Sequence, residues 1–81
     1  MNTEDRLMKL VMDELDVDEE KINNNSRFIE DLGADELDRV ELILGIEAEF
    51  GLAIEDADAE KLLTFGDALE YVERRLSNKD N

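Results

Sequence analysis

Apolar residues near the start of the chain recur at three- and four-residue spacing, the pattern of one face of an α-helix. These positions are Leu7, Leu10, Val11 and Leu15. Thr3 comes before two acidic residues, so it is a predicted N-cap with negative charge in the first turn. We therefore expect a first helix over about residues 3–16.

The next segment, residues 17–34, lacks this periodicity. The sequence Asn-Asn-Asn-Ser at residues 23–26 has the composition of a turn. A structureless connection of this length is unusual in a small domain, so its spaced apolar residues matter. We predict that four of them pin the segment to the core as a packed loop: Ile22, Phe28, Ile29 and Leu32.

The second helix has the clearest sequence signals. Asp35 is its predicted N-cap, Asp38 stands where a capping box needs a side chain, and Gly51 is the predicted stop. Gly45 lies inside this helix, where glycine costs about 1 kcal/mol relative to alanine, so we expect a packing role, either a close backbone approach or space beside the helix. The apolar positions between the two ends are Leu37, Val40, Ile43, Leu44, Ile46 and Phe50.

Two further helices are predicted after Gly51. Residues 56–63 allow only a short helix. Thr64 with Asp67 three residues later then predicts the start of a last helix, whose apolar face comprises Phe65, Ala68, Leu69, Val72 and Leu76. No strand alternation is visible. The predicted fold is a single all-α domain over residues 1–81, a bundle of three main helices plus one short helix, with a long loop between helices one and two.

Composition narrows the possible classes. A chain of 81 residues buries only about 60% of its unfolded surface and supports one core. It has no Cys and no His, which removes disulfides, thiolate nucleophiles and imidazole chemistry. We expect a cytoplasmic protein, because the first residues lack the basic and apolar parts of a secretory signal and no apolar run approaches the roughly 18 residues of a membrane span.

Charge indicates the kind of partner. The chain has 9 basic and 24 acidic residues, a net charge of −15, and residues 35–60 hold 1 basic and 10 acidic residues. Such a surface repels nucleic acid and anionic membranes and attracts basic protein surfaces. We expect neither nucleic acid nor membrane as a partner, and a monomer. The alternative is that the charge serves solubility alone.

A motif at the start of the second helix gives a family resemblance. Residues 31–38 read DLGADELD, and the acidic amphipathic helix that follows ends in EFG at residues 49–51. Together with the Asn-rich bend and the closing helices, this pattern resembles the bacterial acyl carrier proteins over essentially the whole chain. The resemblance implies a helical bundle that carries acyl thioesters on 4′-phosphopantetheine for fatty acid or related synthesis. It also implies a serine after Asp35 as the attachment point.

Glu36 occupies that position in this chain. In the family, the start of the helix favours the phosphate of the arm, and the arm is joined through a side-chain hydroxyl. A carboxylate has no such hydroxyl, and an acyl phosphate would be too labile as a tether. We therefore predict that the chain carries no cofactor as written. The other hydroxyls are predicted in a bend, at caps, beside the core or near the chain end: Ser26, Thr3, Thr64, Tyr71 and Ser77.

Three interpretations of Glu36 remain open. Glutamate is stabilising near a helix N-terminus, by about 0.3–1 kcal/mol, and could persist where selection for serine has lapsed. Its charge could instead stand in for the prosthetic phosphate in a module that still docks on partners. A deliberate replacement could also have produced an unmodifiable protein. The last two interpretations describe an apo-locked or non-carrier docking variant.

The second helix also holds a predicted partner-binding surface. Three apolar residues share one stripe with acidic residues beside it, and only Ala48 interrupts the acidic row. The resemblance implies that this surface meets Arg and Lys patches on synthases, transferases and reductases. The alternative is an ordinary solvated helix face. The predicted partner-binding residues are Asp35, Leu37, Asp38, Val40, Glu41, Leu44 and Glu47.

An acidic divalent-cation-binding helical protein is the alternative function. Two runs place carboxylates at alternate positions, as calcium loops do, namely Asp16, Asp18 and Glu20, and Asp56, Asp58 and Glu60. Neither run has the glycine at the sixth position or the glutamate at the twelfth. We therefore predict no dedicated metal site. We also predict no enzyme activity, because catalytic carboxylates need environments that separate their pKa values, and these acids are predicted on solvated helix faces.

Overall fold

The computed structural model describes residues 2–78, which begin with helix α1 (Thr3–Leu15). The prediction of Thr3 as its N-cap was wrong. The side chain of Asn2 accepts the hydrogen bond of Asp5 N at 2.8 Å, so Asn2 is the cap and Thr3 is the first helical residue. Asp16 follows the last helical residue with φ at 54°, in the left-handed conformation that ends a helix.

Helix α2 (Glu36–Phe50) has the predicted ends. The Asp35 carboxylate accepts from Asp38 N at 2.8 Å, and the Asp38 carboxylate accepts from Asp35 N at 3.1 Å, which completes the capping box. At the other end Gly51 adopts φ of 66°, a left-handed conformation that glycine takes without strain. Both termini of the helix that carries position 36 are thus determined by local sequence.

Helix α3 (Asp56–Ala59) is a single turn, and helix α4 (Phe65–Asn78) follows it. The cap of α4 is the predicted one, since Thr64 Oγ1 accepts from Asp67 N at 3.0 Å and Asp67 Oδ2 accepts from Thr64 N at 3.1 Å. The all-α prediction of three main helices and a short one is confirmed for residues 2–78. None of these helices combines the length and the apolar character needed to cross a bilayer.

The core forms where α1 packs against α2 and α4. Gly45 on α2 lies beside Leu10 of α1: a Cβ at that glycine would stand 3.1 Å from Leu10 Cδ1, so the glycine leaves space for a side chain of α1, one of the two expected packing roles. The fully buried helical side chains are Leu7 and Val11 from α1, Leu42 and Ile46 from α2, and Phe65, Ala68 and Val72 from α4.

The long connection between α1 and α2 is packed, as predicted. Ile22, Phe28 and Leu32 are buried, and Ile29 is half-buried against the same core. The connection also contains a one-turn 3₁₀ helix (Glu19–Lys21) that the sequence reading did not predict. Its buried apolar side chains hold this segment against the core, although the segment has little regular secondary structure.

A pair of backbone hydrogen bonds joins this connection to the start of α4. Phe28 N donates to Leu63 O and Phe65 N donates to Ser26 O, each at 3.0 Å, so that residues 27 and 64 form an isolated antiparallel bridge. Gly66 N also donates to Asn24 O at 2.9 Å. A Cβ at Gly66 would stand 2.6 Å from that oxygen, so the close approach requires glycine.

Candidate functional site

The turn before α2 determines where position 36 lies. Gly33 has φ of 78°, which favours glycine, and the chain then brings Ala34 into the core. Ala34 N donates to Phe28 O at 2.9 Å, which ties this turn to the packed connection. Asp35 is thereby placed at the cap and residue 36 at the first position of the helix.

Glu36 is exposed at that first position. Its neighbours Asp35 and Asp38 bind each other's backbone nitrogens in the capping box. Within residues 2–78 the Glu36 carboxylate is not part of any hydrogen bond or ion pair, so it is accessible to a second molecule. The dipole of α2 favours a negative charge at this end of the helix.

The residues at this position do not fit a phosphodiester-linked arm. Glu36 offers a carboxylate and no hydroxyl. The nearest hydroxyl along the sequence, Ser26 Oγ, belongs to a side chain that is 5% exposed. That oxygen accepts from Asn23 N at 2.9 Å and donates to Lys21 O at 3.1 Å, so it stabilises the bend instead of facing solvent.

The other hydroxyls lie away from the start of α2. Thr64 Oγ1 caps α4, and the Tyr71 hydroxyl is bonded to Asp58 within a buried side chain. Thr3 is half-buried in the first turn of α1, and Ser77 is exposed in the last turn of α4. None of them combines exposure with a place at the N-terminus of a helix.

Three large apolar side chains are exposed along α2. The exposed fraction is 65% for Leu37, 52% for Val40 and 58% for Leu44. Ile43 is half-buried and Ile46 is fully buried on the opposite side, where α2 faces the core. We name the exposed residues Leu37, Val40 and Leu44 the apolar stripe.

The acidic residues around the apolar stripe have different surroundings. Glu36 and Glu41 are exposed, whereas Asp35 and Asp38 hold the capping box. Glu47 is half-buried, and its Oε2 accepts from Ile54 N at 2.6 Å, across the turn that follows α2. The sequence analysis placed Asp35, Asp38, Glu41 and Glu47 together as partner-binding acids, because the partner of Glu47 becomes visible only in three dimensions.

Arg39 is the one basic residue on α2, and it is turned toward α3. Its Nη2 donates to Ala59 O at 2.6 Å, and its Nε is buried without a hydrogen-bond partner. The guanidinium therefore joins α2 to α3 through a hydrogen bond. The sequence reading missed this role, since nothing local indicates which way a half-buried arginine points.

A cavity of about 180 Å³ lies between α2 and the segment around α3. It is lined by apolar residues and by three charged ones, namely Val40, Ile43, Leu44, Ile54 and Ala59 with Arg39, Glu47 and Asp56. Two polar contacts from α4 hold this segment from the far side: Tyr71 donates to Asp58 at 3.0 Å, and Arg75 donates to Ala53 O at 3.0 Å. The cavity is thus bounded by an anchored segment.

The two acidic runs considered for cations do not converge. Residues 2–78 contain no group of three or more carboxylates placed to hold a metal ion. Asp58 instead accepts the Tyr71 hydroxyl, and Asp16 ends α1 in a left-handed conformation. A cation-binding function thus lacks a ligand set in this part of the chain.

The sequence of this chain is similar to those of known proteins. Residues 5–72 match the family described as "Phosphopantetheine attachment site". The chain is also 45% identical, over 75 residues, to the acyl carrier protein of Nitratidesulfovibrio vulgaris (strain DP4). That alignment covers 93% of this chain and 99% of the relative.

Proposed function

Because the chain belongs to the acyl carrier protein family, whose members are carriers and not enzymes, we propose that it acts as a docking module without a prosthetic group on residue 36. Its α2 surface would meet the basic docking surfaces of fatty acid or related synthesis enzymes. A net charge of −15 opposes self-association, which supports a monomer as the acting form.

The observation that carries this proposal is the exposed carboxylate of Glu36 at the first position of α2. Joining 4′-phosphopantetheine to a protein requires a hydroxyl oxygen that loses its proton and attacks the pantetheine-bearing phosphorus of coenzyme A, breaking the pyrophosphate P–O bond and releasing the nucleotide part as 3′,5′-ADP. A carboxylate attacking phosphorus would form a mixed anhydride, which water cleaves readily. Attachment at residue 36 is therefore unsuitable as a permanent link.

The docking part of the proposal is supported by the apolar stripe and its acidic surroundings. Leu37, Val40 and Leu44 are each more than half exposed, which is unusual for large apolar residues grouped on one helix of a small protein. Acidic residues beside them would accelerate encounter with Arg and Lys side chains, with a strong dependence on salt.

The attachment part is tested by mass. The unchanged protein and a Glu36→Ser variant are incubated with coenzyme A, Mg²⁺ and a broad-specificity phosphopantetheinyl transferase, and both are weighed by intact mass spectrometry. We expect the prosthetic mass on the Glu36→Ser variant alone. A gain by the unchanged protein would overturn the proposal and reveal that a different hydroxyl is used.

The docking part is tested by association with a β-ketoacyl synthase from bacterial fatty acid synthesis. Glu41→Lys reverses an exposed charge beside the apolar stripe, and Glu73→Lys makes the same charge change at an exposed site on α4. We expect Glu41→Lys to slow association and flatten its salt dependence more than Glu73→Lys does. Equal rates for these two variants and the unchanged protein would refute docking through α2.

A further inference from the structure

Two carboxylates of α2 are exposed and unengaged among the described residues, and they lie on opposite sides of the apolar stripe. At 3.6 residues per turn, Glu36 lies about 70° to one side of the middle of the stripe and Glu41 about 70° to the other. The five-residue separation places them about 7.5 Å apart along the helix axis. The stripe therefore has one accessible negative charge on each flank.

The remaining acids of α2 are engaged inside the molecule. Asp38 belongs to the capping box, and Glu47 accepts from Ile54 N. Glu49 is paired with Arg6, whose Nε lies 2.9 Å from Glu49 Oε2. The accessible charge of α2 is thus concentrated in its N-terminal half, and residue 48 beyond Glu41 is a neutral alanine.

No basic side chain neutralises this pair from within α2. Arg39 donates to Ala59 O and pairs with neither glutamate. Arg6 is occupied by the Glu49 side chain and carbonyl oxygen, and it also stacks on the Phe50 ring with 4.6 Å between Cζ and the ring centroid. Glu36 and Glu41 therefore remain without a basic partner among residues 2–78.

From this arrangement we infer that Glu36 is itself a contact residue. Glu36 and Glu41 each form an ion pair with one cationic side chain of a partner protein. The partner surface that fits has an apolar recess for the stripe, with one Arg or Lys on each side of it, offset along the helix axis. This inference rests on the docking function proposed above and assigns Glu36 a positive role in it. Asp35, Asp38 and Glu47 act instead as positioning residues that hold α2 in place.

The test uses neutral, nearly isosteric substitutions in the full chain, with a β-ketoacyl synthase as the probe. Glu36→Gln and Glu41→Gln each remove one of the two flanking charges. Glu73→Gln removes one exposed negative charge from α4, so it controls for the loss of one unit of net negative charge. Glu36→Asp keeps the charge at the first position of α2. Thermal unfolding of every variant verifies that the fold is unchanged.

We expect Glu36→Gln and Glu41→Gln each to weaken association by roughly two- to fivefold, the range of an exposed ion pair. Each should also reduce the slope of affinity against salt concentration. Glu73→Gln should leave affinity within error of the unchanged protein, and Glu36→Asp should retain most of it. If Glu36→Gln behaves like Glu73→Gln while Glu41→Gln still weakens association, Glu36 is not a contact residue. That result would leave docking through α2 intact.

Failure of the underlying function gives a different pattern. If the synthase binds the unchanged protein and a Leu37→Ala, Leu44→Ala double variant equally, α2 is not the docking face, and the proposed function fails together with this inference. If the double variant loses association, docking through α2 holds, and the glutamine series then decides whether Glu36 takes part.

Discussion

Glu47 Oε2 lies 2.6 Å from the backbone nitrogen of Ile54 and accepts its hydrogen bond. This contact spans the turn at Gly51 and ties the last part of α2 to the segment that leads into α3. Ile54 is buried, so its N–H has little access to water as a substitute partner. Glu47, an acidic residue of a type usually found on the surface, thus accepts a hydrogen bond that stabilises the fold.

We expect Glu47→Ala to lower the free energy of unfolding by about 1–3 kcal/mol, because Ile54 N loses its partner in a part-buried site. Glu41→Ala is the matched control on the same helix and should change stability by less than about 0.5 kcal/mol. Urea unfolding followed by circular dichroism measures both. Equal effects of the two substitutions would contradict a structural role for Glu47.

Gly66→Ala should be destabilising by about 1–3 kcal/mol, the cost of crowding a packed site. The new Cβ would stand 2.6 Å from Asn24 O, a backbone atom that cannot move without disturbing the bond from Gly66 N. Thermal and urea unfolding give the magnitude.

Gly45→Ala is the informative comparison, because its Cβ would meet only the end of the Leu10 side chain, at 3.1 Å. Leu10 can shift by a few tenths of an ångström, while alanine improves helix propensity by up to about 1 kcal/mol. We expect this variant to unfold at or above the midpoint of the unchanged protein. A loss as large as that of Gly66→Ala would show that Leu10 has no room to adjust.

The Tyr71 hydroxyl should ionise at unusually high pH. Burial raises the pKa of Tyr71 above its usual value of 10.0, and the bond to the Asp58 carboxylate raises it further, while Arg75 acts in the opposite direction. The chain has one Tyr and no Trp, so absorbance at 295 nm reports this group directly. We expect a midpoint above 10 in the folded protein and near 10 in concentrated urea.

This pKa shift has a defined sign for stability. Above pH 10 the unfolded chain releases the Tyr71 proton while the folded chain retains it. The free energy of unfolding therefore decreases as the pH rises. Tyr71→Phe removes the titrating group and should unfold with a weaker pH dependence between about pH 9 and 11. Identical pH dependence in the two proteins would refute the assignment.

Asp31 should stabilise the fold at neutral pH. Its two carboxylate oxygens accept from Arg27 Nε and Nη2, each at 3.0 Å, and Oδ2 also accepts from Arg27 N at 2.9 Å. The side-chain bond from Arg27 is the main cause that lowers the pKa of Asp31 below 3.8. A lowered folded pKa adds stability above the unfolded value, and that stability disappears as the pH falls through the folded value.

Asp31→Asn should therefore lower the urea midpoint at pH 7 and by the same amount at pH 5. The difference should narrow only once the pH is below about 3.8, where the unfolded carboxyl becomes protonated. Asp13→Asn makes the same charge change at an exposed carboxylate on α1. Asp13 Oδ2 lies 3.3 Å from Nζ of Lys9, and both side chains are mostly exposed, so this substitution should have a smaller effect. A difference between Asp31→Asn and the unchanged protein that stayed constant below about pH 3.8 would argue against the ion pair.

Local patterns were sufficient to predict the helices. The box of Asp35 and Asp38, the stop at Gly51 and the cap at Thr64 all depend on residues three or four positions apart, whose contacts follow from helix geometry. The exposed stripe followed from periodicity as well. The error at the start of α1 has the same origin, because Asn2 and Thr3 are both capping residue types and only the geometry distinguishes them.

Contacts between distant parts of the chain were outside the reach of the sequence. Arg39 meets a carbonyl twenty residues away, and Glu47 meets a nitrogen beyond a turn. The bridge of residues 27 and 64 gives no periodic signal because it involves single residues. As a result, the sequence identified the acidic residues of α2, while their division into accessible and engaged carboxylates required the fold.

The bridge between residues 27 and 64 has a consequence for how α2 is positioned. It joins the two ends of a 38-residue stretch that includes both α2 and α3, so this part of the chain is a closed ring in hydrogen-bonding terms. We expect that weakening the hydrogen bonds of this bridge would loosen the placement of α2 without changing any of its side chains. We therefore expect substitutions around Ser26 or Leu63 to affect the proposed docking while the residues of the apolar stripe stay unchanged.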